Sequence, residues 1–483
     1  MEAVHLLTLG MAFIVLAAIF RQGTTTRRRD RTTIRVSDAA VARRALIDHA
    51  DAFSNRPTPA FPAGRPVTHS IASMPYGPVW QTLRRNLTAN ILHHSRLGDL
   101  AQLEHEAAAA AASTLSAEAG SGDVVVVPRD TLHGAVLTLF ARLCFGDGGE
   151  DGGMDVPDMH TVLQMQQEFF NSFAVVMASE RSWMTRLLHW WWRRRQAGMF
   201  DRIDEVFIPA IVARRRRRSR HGNCCGGGFR PYLDSLLELD IPDGDGDNGH
   251  ARRRLLTDQE IAFLVWEFLG AGISGAVTCL EWTLAHLAAE PGIQDKLRRE
   301  LIAGDQRSMT GSTATGTATS ELLRLPYLHA VVLESLRLHP PLPFASREVQ
   351  VEGIMLGEVA VPPGGAPVSF VLGDIGRDGK VWTKPDKFRP ERFLEGGEGE
   401  GVSLVPGPKE IKMMPFGTGR RHCSGVAMGM AHVKCFLAEL VRGLEWVAPA
   451  DDGGGIDFTE IDGFIKWMKT PLRVRIAPRS MMK

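Results

Sequence analysis

A ten-residue loop, residues 416–425, constrains this chain more than any other segment. It reads FGTGRRHCSG and places Cys423 between glycines. Glycine lets backbone amides approach the sulfur, and the adjacent Arg420 and Arg421 favour the ionised thiolate. An apolar run of helical period begins directly afterwards at Val426, so the positive end of a helix dipole points at the sulfur. The loop is therefore suited to hold a thiolate that ligates iron.

The spacing of five residues in this loop resembles the haem-binding loop of the cytochrome P450 superfamily. The five are Phe416, Gly419, Arg421, Cys423 and Gly425. A match at five fixed positions arises by chance in about one sequence of this length in ten thousand. The resemblance implies haem b as the cofactor, with Cys423 as the iron ligand and Phe416 and Gly425 beside it. The competing interpretation is a buried, inert cysteine in a glycine-rich turn.

Length and composition agree with a large soluble catalytic body. The chain has 483 residues, of which 44% are hydrophobic, so it can bury an extensive core. Periodicity predicts mainly helix with a few short strands. The resemblance implies the cytochrome P450 fold, mainly α with a small β region, in a single large haem-binding domain over residues 33–483. A net charge of +1 argues against a nucleic-acid partner. The six cysteines have no metal-finger or disulfide-scaffold spacing, which fits a reducing compartment.

An apolar run at the N-terminus predicts a membrane anchor. Residues 4–20 are just long enough to span a bilayer, and arginines follow at positions 21 and 27–29. We expect residues 1–21 to be the anchor, residues 22–32 a basic linker, and the body to stay on the cytosolic side. Together with the superfamily's eukaryotic members, this implies a single-pass protein of the endoplasmic reticulum membrane. A cleaved signal peptide is the alternative, but there is no basic n-region and no clean cleavage site.

A second membrane-related pattern lies at residues 190–195, where three tryptophans precede three arginines. Such a pattern is typical of an interfacial patch with rings at headgroup level. It is equally typical of a partly buried aromatic cluster beside a solvated charge run, so both interpretations stay open.

The longest apolar helical segment, residues 255–290, belongs in the middle of the molecule. Thr257 and Glu260 match a capping box at its start. At its centre, the small pair Ala271-Gly272 lets a flat ligand lie against the backbone. In the superfamily this helix crosses the haem.

The same helix departs from the superfamily after its small pair. The usual acid and threonine, which order the proton-delivering water, are replaced by Ser274 and Gly275. We therefore expect Ser274, Thr278 one turn later, or a substrate hydroxyl to hold that water.

Further residues are expected to hold the cofactor. Trp80 and Arg84 are four apart on one helical face, which presents an indole N–H and a guanidinium to one carboxylate. Haem has two propionates, and the resemblance implies that Arg347, on a predicted strand, and Arg421 also reach them. Elsewhere, the resemblance implies a buried structural triad of Glu334, Arg337 and Arg392, in which one carboxylate is shared by two guanidiniums and does no chemistry.

Closer similarity is to plant microsomal members, on the segments 76–80, 84–87, 323–327 and 409–416. The departures are Ser424 in place of a usual proline and the absence of the hinge, first helix and first strand between the anchor and Thr33. The second departure predicts either a truncated product or a small sheet that is completed differently.

The resemblance implies a monooxygenase that inserts one oxygen atom of O2 into a small apolar substrate, with electrons from an NADPH-cytochrome reductase flavoprotein. One alternative is a haem-thiolate isomerase or dehydratase that needs no reductase. Another is a catalytically impaired haem-binding protein. The candidates for lining a largely apolar pocket are Phe61, Ile71, Ile273, Leu342, Phe344, Trp467 and Met468.

Overall fold

The computed structural model describes residues 33–57, 69–120, 124–146, 157–179, 190–221, 229–245, 251–310, 318–362, 365–449 and 455–479. The predicted anchor (1–21), the basic linker (22–32) and Phe61 lie outside these ranges.

The described residues are mainly helical, as predicted. The helices are α1 (Ala39–Arg43), α2 (Pro78–Leu87), α3 (Leu97–Ala119), α4 (Arg129–Phe145), α5 (Met159–Ser179), α6 (Trp190–His221), α7 (Tyr232–Leu237), α8 (Asp258–Ala289), α9 (Pro291–Thr310), α10 (Ala318–Leu323), α11 (Pro326–Leu338), α12 (Leu372–Gly376) and α13 (Val426–Gly443). Helices α1 and α2 each continue into a π-helical turn, Arg44–Asp48 and Thr88–Leu92. Short 3-10 turns lie at His94–Arg96, Pro390–Phe393 and Gly419–Arg421.

Four helices, α3, α4, α8 and α13, pack together as the centre of the molecule. Helix α8 is apolar on nearly all sides, which explains why it is surrounded by the others. It is the one described helix long and apolar enough to cross a membrane, with a mean hydropathy of 1.6, but 72% of that apolar stretch is buried inside the protein. Helix α8 is therefore the core helix of the body.

The strands are short and form small sheets. They are β1 (Ile34–Val36), β2 (Val125–Val126), β3 (Asp240–Asp245), β4 (Ala251–Leu255), β5 (Phe344–Val349), β6 (Met355–Leu356), β7 (Val359–Ala360), β8 (Ala366–Val371), β9 (Leu444–Val447) and β10 (Val474–Pro478). One sheet has the order β1-β8-β5, with β1 parallel and β5 antiparallel to β8. Another has the antiparallel order β2-β10-β9, and β3-β4 and β6-β7 are separate pairs.

Short-range capping interactions define the start of two helices. Thr257 and Glu260 form the predicted capping box at the start of α8, and the Asp38 side chain caps α1 by accepting a hydrogen bond from the Val41 N–H. Strands β3 and β4 pair in the stretch before α8 although it is rich in glycine, aspartate and arginine, because the main-chain ladder depends little on which side chains it carries.

Candidate active site around Cys423

The Cys423 loop is shaped by glycines and by its own backbone. Gly417 and Gly419 have φ of 67° and 71°, the left-handed region in which other residues are strained. A Cβ at Gly419 would also lie 2.2 Å from the Leu46 carbonyl oxygen. The Cys423 N–H donates to the Phe416 oxygen at 2.8 Å, and the Gly425 N–H donates to the Cys423 sulfur at 3.3 Å. Gly425 is also the N-cap of α13, so an amide and a helix N-terminus both point toward the sulfur.

The thiol of Cys423 is accessible, unlike the other described cysteines. Cys144, Cys279 and Cys435 are buried, and burial raises the pKa of Cys279 and Cys435 to about 12. Cys423 is exposed, yet desolvation by the surrounding protein raises its pKa, while the Gly425 N–H and the positive charges of Arg84 and Arg56 lower it. Because the thiol is accessible although protein surrounds it, we infer that Cys423 faces an interior cavity.

Helix α8 is mostly buried, but a short stretch of it around Ala271 and Gly275 is not covered by protein atoms. Ala271 is exposed, and a Cβ at Gly275, one turn later, would meet no protein atom within 4 Å. Gly272 faces elsewhere, since a Cβ there would lie 2.0 Å from the Phe140 ring of α4. The two small residues of the Ala271-Gly272 pair thus differ in purpose. Ala271 leaves open space, and Gly272 allows close packing between α8 and α4.

The two hydroxyls considered for holding water are less accessible than Gly275. Ser274 is only 4% exposed and Thr278 is 0% exposed. The Thr278 hydroxyl donates to the Ser274 carbonyl oxygen at 2.6 Å. This engagement within the helix argues against Thr278 as a group that binds water in the cavity.

Four arginines converge beside the Cys423 loop. Arg347 and Arg421 are buried, and their donors meet neutral carbonyl oxygens. Arg347 donates to Ser346 and Thr418, and Arg421 donates to Ser54, Ile71 and Met74. Arg84 donates to the His422 oxygen at 2.7 Å, and Arg56 donates to the oxygens of Ala72 and Arg421.

The charges of this arginine cluster (Arg56, Arg84, Arg347 and Arg421) are poorly compensated. Desolvation lowers the pKa of all four. Repulsion by neighbouring arginines lowers the pKa of Arg84, Arg347 and Arg421 further, to about 9 for Arg421. Within the described part of the chain, none of the four forms an ion pair with a carboxylate. Glu267 acts on Arg56 and Arg421 only through its charge. Buried unpaired charges are costly, so the cluster fits an anionic group, and the two propionates of a bound haem would supply that charge.

Trp80 lies within this cluster in a way that spacing did not predict. Its indole N–H donates to the Ile71 oxygen at 2.9 Å. Arg84 lies over its ring at 5.2 Å and Arg421 at 4.3 Å. Trp80 and Arg84 do share a helical face, but in this structure their donors go to different backbone oxygens and not to one carboxylate.

Glu334, Arg337 and Arg392 form a fully buried network. Arg337 donates to both carboxylate oxygens of Glu334 at 2.7 and 2.8 Å, and Arg392 donates to one at 2.9 Å. The Arg389 N–H donates to the same oxygen. With four donors on one carboxylate, the network joins α11 to the turn Pro390–Phe393.

The candidate pocket residues differ in how deeply they are buried. Ile273 and Met468 are buried at 0% and 1% exposure and belong to the packed core. Leu342 and Phe344 are exposed at 37% and 36%. Ile71 and Trp467 are half-buried and pack against the main core.

Sequence reasoning missed two residues near this site. Arg56, in the arginine cluster, lies in a proline-rich stretch without a readable pattern. Glu267, on α8 one turn before Ala271, accepts hydrogen bonds from Ser70, Ile71 and Ala72. The only available signal was an acid in an otherwise apolar helix.

Comparison with known proteins places this site in a family. A family model described as Cytochrome P450 matches residues 13–470. The chain is 31% identical over 455 residues to "Cytochrome P450 89A9" of Arabidopsis thaliana, covering 92% of this chain and 84% of the relative. It is 28% identical to "Flavonoid 3'-monooxygenase CYP75B137" of Crocosmia x crocosmiiflora, covering 92% and 83%. A solved zebrafish cytochrome P450 with abiraterone has the same fold, with a TM-score of 0.69 at 23% identity and coverage of 93% and 94%.

Proposed function

The chain belongs to the cytochrome P450 family, and from this premise we propose that it is a membrane-anchored monooxygenase that takes electrons from an NADPH-cytochrome reductase. Its cofactor is haem b, and the family works with a redox partner and an organic substrate. The observation that carries the proposal is the accessible, desolvated thiol of Cys423 beside a cluster of uncompensated arginines.

We assign the residues of the site as follows. Cys423 ligates the iron as thiolate, and the Gly425 N–H and the start of α13 stabilise its charge. Trp80, Arg84, Arg347 and Arg421 hold the propionates, as the resemblance implies, and we add Arg56 because it donates to the Arg421 carbonyl oxygen within the same cluster. Phe416 packs beside the sulfur, and Glu334, Arg337 and Arg392 keep the supporting segment in place. When bound, the haem supplies the activation of dioxygen, and its thiolate ligand favours O–O cleavage.

Proton delivery is where this chain differs from the family pattern. Ala271 and Gly275 leave open space on α8 without contributing a polar side chain. Ser274 stands at the position of the usual acid and carries a hydroxyl, but it is buried. We propose that water in this space, or a hydroxyl of the substrate, carries the proton. The substrate is a small and largely apolar molecule, since the expected pocket side chains are Ile71, Leu342, Phe344 and Trp467.

The reduced carbon monoxide difference spectrum of the purified protein tests this function. The native protein should give the red-shifted Soret band of a thiolate-ligated haem, and Cys423→Ala should abolish it. Cys435→Ala, which changes a buried cysteine of α13, is the matched control and should leave the band unaltered. Persistence of the band in Cys423→Ala would refute the assigned ligand. NADPH consumption with reductase distinguishes a monooxygenase from an isomerase or dehydratase, which would form product without it.

The proposed location is the endoplasmic reticulum membrane, with one spanning segment at residues 1–21 and a cytosolic body. The apolar run at residues 4–20 and the arginines that follow it support this. Full-length protein should stay with microsomes on carbonate washing, and deletion of residues 1–21 should release much of it. Release of the full-length protein would rule out a spanning helix.

A further inference from the structure

Glu267 binds a separate segment of the chain with both of its carboxylate oxygens. One oxygen accepts from the Ser70 hydroxyl at 2.7 Å and from the Ala72 N–H at 2.8 Å. The other accepts from the Ile71 N–H at 2.8 Å. Hydrogen bonds to an ionised acceptor are stronger than neutral ones. Glu267 therefore ties residues 70–74, here called the wall segment, directly to α8.

The wall segment is a compact turn with its own internal bonds. The Ser73 N–H donates to the Ser70 hydroxyl at 3.0 Å, and the Met74 N–H donates to the Ser70 carbonyl oxygen at 2.9 Å. Ser70 thus links the turn to Glu267 while it closes the turn itself. A shift of Glu267 consequently acts on the whole segment and not on a single residue.

The opposite side of the wall segment is held by the cofactor site. Its carbonyl oxygens at Ile71 and Met74 accept from Arg421, and the Ile71 oxygen also accepts from Trp80. The Ala72 oxygen accepts from Arg56. The wall segment therefore bridges α8, at a position one turn from Ala271, and the arginine cluster beside Cys423. A segment that joins these two places forms a side of the cavity between them.

We propose that Glu267 is a positioning residue that holds the wall segment against α8 and so controls how bulky apolar ligands enter and leave the cavity. This inference rests on the proposed haem-thiolate function. Glu267 is not a replacement for the missing acid of proton delivery, because donors from the wall segment occupy both of its oxygens. Glu267 affects the reaction indirectly, because it fixes the position of residues 70–74, which include the pocket candidate Ile71.

Ligand kinetics on the ferric holoprotein test the proposal. The probes are 4-phenylimidazole, which is bulky, and imidazole, which is small, and both are followed by the Soret shift in stopped flow. The variants are Glu267→Ala, Glu267→Gln and Ser70→Ala, and Glu290→Gln at the exposed end of α8 is the control. Ser70→Ala removes one of the donors, whereas Glu267→Ala removes the acceptor for all of them.

We expect Glu267→Ala to raise both the association and dissociation rate constants of 4-phenylimidazole by about tenfold, which is the effect of losing hydrogen bonds worth about 1.4 kcal/mol. Ser70→Ala and Glu267→Gln should give smaller increases. Imidazole should change by less than about twofold in every variant, because a small ligand needs little displacement of the wall segment. Unchanged rates for 4-phenylimidazole, or equal changes for both probes, would overturn the proposal.

Hydrogen–deuterium exchange supplies a readout that does not depend on ligand or activity. A peptide covering residues 70–74 should exchange faster in Glu267→Ala than in the native protein, and Glu290→Gln should match the native protein. Unchanged exchange would mean that Glu267 does not hold this segment. All variants should keep the red-shifted carbon monoxide band. Its absence from the native protein would instead count against the proposed function, so the two failures are distinguishable.

Discussion

Phe140 of α4 packs against the bare backbone of Gly272 in α8, where a Cβ would lie 2.0 Å from its ring carbon Cε1. The same ring contacts Phe268 at 5.4 Å and His432 of α13 at 5.4 Å between centroids. One aromatic side chain thus joins three of the four central helices. Gly272 leaves room for this ring because it has no side chain.

Two alanine substitutions on α8 should therefore have opposite effects on stability. Gly272→Ala forces Phe140 to move and should lower the free energy of unfolding by about 1–3 kcal/mol. Gly275→Ala adds a methyl group where no protein atom lies within 4 Å, and should raise it by about 0.5–1 kcal/mol through helix propensity. Denaturant unfolding of both variants provides the measurement. Equal effects would show that the packing of Phe140 does not distinguish the two sites.

The missing acid and threonine predict poor coupling of NADPH oxidation to product. Proton transfer by a positioned group contributes about 10²–10⁴ in rate, so peroxide should leak from the native protein. The double change Ser274→Asp and Gly275→Thr should lower the peroxide released per NADPH by about tenfold or more, measured with reductase present.

Thr278→Val is the matched control for coupling. Because its hydroxyl is buried and donates to the Ser274 oxygen, its loss should leave the peroxide fraction unchanged. If the native protein couples tightly and the double change reduces product, another group or the substrate itself delivers the proton.

Arg56 should contribute to retention of the cofactor. Hydrogen bonds that involve a charged group are worth about 1.5–3 kcal/mol, so Arg56→Gln should raise the rate of haem loss by about tenfold or more. Transfer of haem to excess apomyoglobin measures this rate. Arg43→Gln, which breaks a surface pair with Asp48 at 2.9 Å, is the control. Equal rates for the two variants would remove Arg56 from the cofactor site.

His133 should make the protein sensitive to mild acid. Desolvation, with help from the charge of Arg129, lowers the pKa of His133 from 6.5 to about 4. Between pH 6.5 and about 4, His133 therefore binds a proton in the unfolded chain but not in the folded protein. The contribution of neutral His133 to stability is fully present above pH 6.5, the pKa of this group in the unfolded chain. As the pH drops from 6.5 toward 4, the free energy of unfolding falls by at most about 1.4 kcal/mol per pH unit.

His133→Phe keeps an aromatic ring against Trp467, which lies 5.2 Å away between centroids, but it cannot titrate. Its unfolding free energy should fall less steeply over the same pH range, and above pH 7 the two profiles should run parallel. Profiles that are parallel at all pH values would mean that His133 is not the group responsible.

Features whose residues lie close together along the chain could be predicted from the sequence, and contacts between residues that are far apart along the chain could not. The capping box of Thr257 and Glu260 and the loop around Cys423 are local, so their residues reveal them directly. Glu267 and Ser70 are far apart in sequence, and no spacing connects them. Trp80 and Arg84 were correctly placed on one helical face, but the backbone oxygens that their donors reach belong to residues 71 and 422. Such partners are set by tertiary packing and not by periodicity.

The parallel pairing of β1 with β8 has a consequence for synthesis. Ile34 lies opposite Val368, so β8, the partner of the first described strand, leaves the ribosome more than three hundred residues after β1. At about 5–20 residues per second this delay is roughly a quarter of a minute to more than a minute. During that time the edge of β1 is open to other chains. Nascent protein should therefore depend on chaperones until β8 has emerged.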